Sequence, residues 1–174
     1  TCALPILVDL GLAARLLVAL APASALRTEV ELFNPRGRAR NIVVSAGLAG
    51  DAVDTASVKT NLHEAAISAH RGAPAFWGID GYAELALDAE QHLANGFLEV
   101  DSDEVMVHLP GLFNDQWAYN RLNGRMGFRA DWTSDLNIRL ASGVIVVESA
   151  DLQARAQVAT DIQNGEEREI NLEL

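Results

Sequence analysis

Hydrophobic and polar residues alternate over several stretches of this chain. Over residues 26–33, Leu26, Thr28, Val30 and Leu32 fall on one side of an extended chain, and Arg27, Glu29 and Glu31 on the other. A period of two with one apolar side predicts a strand with one wet face. Asn34-Pro35-Arg36-Gly37 has turn chemistry, and residues 41–45 read as the returning strand of a hairpin. Gly47 and Gly50 interrupt the pattern.

The middle of the chain changes period. Asn61 and Glu64 have capping-box spacing, which predicts a short helix over 62–71 stopped by Gly72 and Pro74. Asp80 is placed to cap a second helix over 82–95, with Tyr82, Leu85, Ala86, Ala89 and Leu93 on one face and Gly96 at its end. Strands are then expected at 97–100 and 104–109, flanking an acidic turn, Asp101-Ser102-Asp103. Residues 111–132 read as a long irregular loop. Alternation resumes at Leu136, Ile138 and Leu140, turns at Ser142-Gly143 and returns through 144–147. A strand over 151–162, the hairpin turn Asn164-Gly165 and a closing strand over 168–174 complete the chain. The expectation is a single β-rich domain over 1–174. Its class is α+β, predominantly β: an antiparallel β-sandwich or jelly-roll-like barrel with two short inserted helices.

The opening stretch, 3–22, is almost wholly apolar and has the length of a membrane span. Pro5, Asp9, Gly11 and Arg15 interrupt it, and a charge at mid-membrane costs about 3 kcal/mol on insertion scales. A membrane partner is therefore not expected. Ala23-Ser24-Ala25 has the form of a leader cleavage site behind Leu16–Leu20, but packed strands or a core helix account better for these residues. An apolar segment not packed within its own domain must be covered by another subunit.

Composition narrows the function classes. The 174 residues are 49% hydrophobic, which suits a folded domain and not a disordered one. Cys2 is the only cysteine, so no intrachain disulfide exists. Thirteen basic against 24 acidic side chains give a net charge of −11, which disfavours direct nucleic-acid binding. That charge is segregated. Residues 1–50 carry +2, 51–108 carry −9, 109–139 carry +1 and 140–174 carry −5.

Motifs for catalysis fail one by one. His63-Glu64-Ala65-Ala66 begins like a zinc-protease helix, yet Ile67 stands where the second histidine must be. His63, His70, His92 and His108 are scattered, and Glu99, Asp101, Asp103 and Glu104 lack calcium-loop spacing and its glycine. Gly47-Leu48-Ala49-Gly50 has neither a phosphate-loop lysine nor a dinucleotide fingerprint. Cys2 and Thr1 have no recognisable catalytic partner. No catalytic residue, metal or cofactor is predicted, and the protein is expected not to be an enzyme.

Two features suit contact with a partner. Phe113, Trp117, Tyr119, Phe128 and Trp132 gather half of the ten aromatics into twenty residues, interleaved with Arg121, Arg125 and Arg129. Those residue types are enriched at interface hot spots. Arg36, Arg38 and Arg40 form a basic cluster on an otherwise acidic body, which suits head-to-tail contact between copies. The architecture resembles the small β-sandwich and jelly-roll subunits that build virus and phage particles. The lack of a coherent catalytic constellation, the aromatic–arginine loop and the segregated charge together predict a non-enzymatic structural subunit of a virus or phage particle or other extracellular particle, bound to copies of itself or to other subunits. Its expected interface comprises Arg36, Arg38, Arg40, Phe113, Trp117, Tyr119, Arg121, Arg125 and Trp132. The alternative is a sandwich module that binds a carbohydrate or other flat ligand through loop 111–132.

Overall fold

Alternation with a period of two governs more of the chain than the sequence reading assigned to it. The computed structural model describes residues 2–4, 7–20, 32–49, 52–69, 74–108, 110, 114–133, 137–163 and 166–173. Its elements are β1 (Cys2–Leu4), β2 (Val8–Asp9), α1 (Leu10–Leu20), β3 (Arg36–Ala49), β4 (Ala52–Ile67), β5 (Ala75–Asp88), β6 (Leu93–His108), β7 (Trp117–Asp131), β8 (Asn137–Ser142), β9 (Ile145–Glu148), β10 (Gln153–Gln163) and β11 (Glu166–Glu173). All strands belong to one sheet, ordered β1-β3-β4-β5-β6-β7-β8-β10-β11, with β2 beside β3 and β9 beside β7 and β10. Every pairing is antiparallel, so β3 to β8 is a meander of successive hairpins.

The chain is thus predominantly β, as expected, but both inserted helices are strands. Residues 62–67 continue β4, and 82–95 split into the end of β5, a turn at 89–92 and the start of β6. Tyr82, Glu84, Ala86 and Asp88 alternate with Ala83, Leu85 and Leu87, and this competes with the helical spacing read from the same residues. Long ladders on both sides of β5 settle the competition, because cross-strand partners outweigh local propensity. Asp80 caps no helix. Its carboxylate instead accepts the Glu64 backbone N–H at 3.0 Å.

Three further expectations change. Most of the supposed loop 111–132 is the fifteen-residue strand β7, in which Leu122, Gly124, Met126, Phe128 and Ala130 alternate with Arg121, Asn123, Arg125 and Arg129. Its glycines and asparagines have turn chemistry, but they sit inside a ladder. Gly96 shows why one glycine belongs there: a Cβ would lie 2.8 Å from the Phe128 ring of the adjacent strand. Asp101-Ser102-Asp103 is the interior of β6, not a turn. Ser142-Gly143 does not reverse the chain, since β8 and β9 run in one direction and both pair with β7 and β10. The strand expected at 26–33 lies mostly outside the described residues, as does the turn at 164–165; the strands flanking that turn do pair.

A crease crosses four strands at one level. Register shifts fall between Arg36 and Arg38, between Leu62 and Ala65, and between Trp77 and Gly81. Positive φ angles accompany them at Gly37 (102°), Glu64 (50°), Gly78 (77°) and Glu104 (57°). A Cβ on Gly37 would meet the Glu64 carbonyl, and one on Gly78 would lie 2.9 Å from the Glu104 carbonyl, so glycine is required at both. Bulges of this kind bend the strand and increase its twist.

The core straddles this crease. Val105 (0% exposed), Ala65, Ile79 and Leu122 form it, joined by Leu10 of α1, Phe76, Val107, and Ile145 and Val147 of β9. Helix α1 lies beside β2 and β3, and Asp9 accepts the Leu12 N–H at 2.7 Å as its cap. Away from the crease the sheet is a single layer: no described side chain of 42–49, 54–60, 82–100, 125–131 or 137–142 is buried. The accessible surface is 11289 Å², against roughly 8300 Å² for a typical folded monomer of this mass.

Candidate functional site

The single-layer half of the sheet has two chemically distinct faces, because directly paired residues share a face and i, i+2 residues repeat it. One row runs Val44, Val58, Leu85, Gly96, Phe128, Leu140 and Thr160 across seven strands. The next, on one side, runs Ala46, Ala56, Leu87, Ala94, Ala130 and Ile138. On the other side lie Thr60, Ala83, Leu98, Met126 and Ser142. None of the residues in these three rows is charged. Seven strands at about 4.8 Å spacing make it roughly 30 Å wide.

Two of its three hydroxyls, on Thr60 and Ser142, meet the backbone. Thr60 Oγ1 donates to the Arg40 carbonyl at 2.9 Å, and Ser142 Oγ accepts the Val158 N–H at 2.8 Å. The apolar groups remain open: Leu85 is 42% exposed, Val44 38%, and Leu87 and Met126 36% each. A contiguous open apolar patch of this extent marks a contact site.

The opposite face carries charged side chains, several of them in pairs. Lys59 Nζ lies 3.0 Å from Glu84, Arg125 3.1 Å from Glu99, and Arg139 donates to Asp161 at 2.8 Å. The Arg125 guanidinium also stacks 3.8 Å from the centre of the Phe97 ring. The hydrogen bond from Lys59 holds the Glu84 carboxyl below its ordinary range.

Asp101 gives a pH prediction. The Arg121 guanidinium donates to it at 2.9 Å, and this bond, with a second from Asn123, depresses its pKa. A carboxyl depressed in the folded state adds stability above its unfolded pKa, and loses it as pH falls through the folded value. A carboxyl-detected NMR titration should therefore show the Asp101 midpoint below the ordinary aspartate range. In Arg121→Ala that midpoint should move up.

The crease carries a polar network. Arg38 pairs with the Glu64 carboxylate, the His63 ring Nδ1 lies 2.6 Å from Asp80 Oδ1, and the Ser102 hydroxyl binds the Asp80 backbone. Ser, His and Asp are all present, yet they make no nucleophilic triad. The Ser102 proton is committed to the Asp80 carbonyl at 2.9 Å, and the residue is 1% exposed, closed to any substrate. His92 lies in the turn after β5 and His108 at the end of β6, so the described histidines do not converge.

The residues expected at an interface do not form one patch. Arg36, Arg38 and Arg40 line β3, opposite Ala66, His63 and Asn61. Trp117 begins β7 and is 39% exposed, whereas Trp132 lies beyond its far end with the His92 ring edge-on at 6.3 Å. Roughly 45 Å of strand separates the two tryptophans. Tyr119 is half-buried opposite Val105, and Arg121 and Arg125 are held by Asp101 and Glu99. Phe113 lies outside the described residues. The uncharged face went unread because its members are small and spread over seven strands; alternation in 82–88 and 121–131 was the signal for it.

Comparison with known proteins finds no matching family model, no similar curated protein and no similar solved structure.

Proposed function

We propose that the uncharged face of the sheet binds long apolar chains, such as the acyl chains of lipids or fatty acids, and that the protein is a non-enzymatic binding scaffold. The observation that carries this reading is three adjoining rows without a charge, running across as many as seven strands, with Val44, Leu85, Leu87 and Met126 exposed. Residue type favours a hydrocarbon ligand over a protein one. Protein interfaces concentrate Trp, Tyr and Arg, whereas these rows consist of Ala, Gly, Val, Leu, Ile and Met, three hydroxyl residues and the single aromatic Phe128. With Thr60 and Ser142 satisfied internally, little remains to reward a polar ligand.

Titration with a fluorescent long-chain fatty acid tests this. Saturable binding, displaced by unlabelled fatty acid and insensitive to salt, is expected. Absence of saturable binding overturns the reading.

A second reading keeps the structural subunit of a virus or phage particle. It is favoured by the same open face, because two such faces stacked about 10 Å apart would form a β-sandwich between copies. Its signature is a concentration-dependent dimer or larger assembly in sedimentation. Carbohydrate binding by 111–132 is not favoured, since its tryptophans lie at opposite ends of a strand.

A further inference from the structure

The open apolar face does not end at its third row but runs into the core. Two residues along from Thr60, Ala83, Leu98 and Met126 comes a fourth row, Leu62, Gly81, Val100 and Gly124, which the register again aligns. Beyond it Ser102 lies opposite Leu122, and Leu122 opposite Val147. Strands β6 and β7 keep one register from Ala94 to Ser102, so residues two apart stay on one face. Exposure falls in this direction. Leu85 and Leu87 are 42% and 36% open, Leu62 and Val100 are half-buried against the core, and Leu122 and Ser102 are closed at 8% and 1%. Leu10 of α1 and Ile145 of β9 pack on the same cluster. Followed along the strands, the face is open toward the turn at 89–92 and shut at the crease. At the shut end the Ser102 hydroxyl is spent on the backbone N–H and carbonyl of Asp80.

We infer that a hydrocarbon chain lies along the strands on this face, its methyl end stopped at the crease and its polar head beside the turn at 89–92, so that the site measures chain length. The inference rests on the face binding apolar chains at all. Its direction follows from solvation: a head group keeps its water at the open end, whereas at the crease it would be buried without a partner. Its length follows from the ladder. Ala94 to Val100 spans roughly 20 Å at about 3.3 Å per residue. The three bonds between successive Cα atoms cover about 3.8 Å, so an extended carbon chain advances about 1.3 Å per bond, and roughly 16 carbons fill the track.

Displacement of a fluorescent fatty acid by unlabelled saturated acids of increasing length tests this. Affinity should rise about two- to fourfold per added methylene, then level off at about 16 carbons. Ala83→Phe places a ring in the row before Gly81 and Val100, and should bring the plateau forward by roughly five carbons while sparing short acids. Tyr82→Phe, on the opposite face, should leave the profile unchanged. Circular dichroism matching the parent shows that the variants fold. Paramagnetic broadening reads the direction: a nitroxide near the methyl end should broaden the amides of Val100 and Gly124, and one near the carboxyl those of Ala94 and Ala130. Affinity that climbs evenly well beyond the plateau length, an unmoved plateau in folded Ala83→Phe, or reversed broadening overturns the stop at the crease while leaving apolar-chain binding intact. No displacement at any length removes the face as a site, and the length gauge with it.

Discussion

Leu85→Asp is expected to abolish apolar-chain binding while leaving the sheet folded. Leu85 sits in the middle of the uncharged face, directly between Val58 and Gly96 on the neighbouring strands. It is 42% exposed, so replacing it removes little buried area, and far less than a core truncation would. A bound hydrocarbon chain, however, would cover an unpaired carboxylate there. Burying a charge without a partner is costly enough that binding should fall at least about a hundredfold, equivalent to roughly 2.7 kcal/mol. Glu84→Gln, one residue along on the opposite face, should bind as the parent does, though its pair with Lys59 is lost. Unaltered fatty-acid binding by Leu85→Asp would remove the face from consideration. If instead the parent self-associates and Leu85→Asp does not, with no fatty acid bound by either, the assembly reading is the correct one.

The sequence announced strands wherever one face is polar and the other aliphatic over short distances. Residues 136–140 and 151–162 were legible for that reason, and their pairing follows. The middle of the chain was harder because its side chains satisfy two periods at once. Leu85 and Ala86 belong to a helical stripe with Tyr82 and Ala89, but in the sheet they point to opposite faces. Only the neighbouring strands decide between these, and no local window contains them.

Glycine misled for a related physical reason. Gly124 and Gly127 have turn chemistry, yet each lies in a ladder; a Cβ on Gly124 would sit 3.1 Å from Ile145 of β9, a strand twenty-one residues later. The candidate site was hidden by the same non-locality. No segment contributes more than three or four of its residues, so no motif exists to be found, and the absence of charge becomes visible only when the register aligns seven strands. The arginine-rich stretch at 36–40, by contrast, was visible at once. Its charges are contiguous along one strand, although one of the three is spent internally on Glu64.

Ser102→Ala should be among the most destabilising single substitutions at the crease, costing about 2–6 kcal/mol. Ser102 is the one buried polar side chain among the described residues, at 1% exposure. Its hydroxyl accepts the Asp80 N–H at 2.8 Å and donates to the Asp80 carbonyl at 2.9 Å. Those backbone groups fall where β5 leaves its register with β6, between Trp77 and Gly81, so the side chain stands in for the missing ladder bonds. Alanine would orphan both, at about 1–3 kcal/mol each when water cannot reach them. The consequence spreads, because the Asp80 carboxylate binds His63 and the Glu64 N–H on β4 and so holds the next bulge in line. Urea unfolding should show a lower midpoint with an unchanged slope, the mark of lost stability without a changed denatured state. Ser102→Cys, which keeps a weak donor and acceptor of similar size, should recover part of the loss. A loss below about 0.5 kcal/mol in Ser102→Ala would mean that water enters the crease and satisfies Asp80, since only a closed crease makes those two bonds costly to remove.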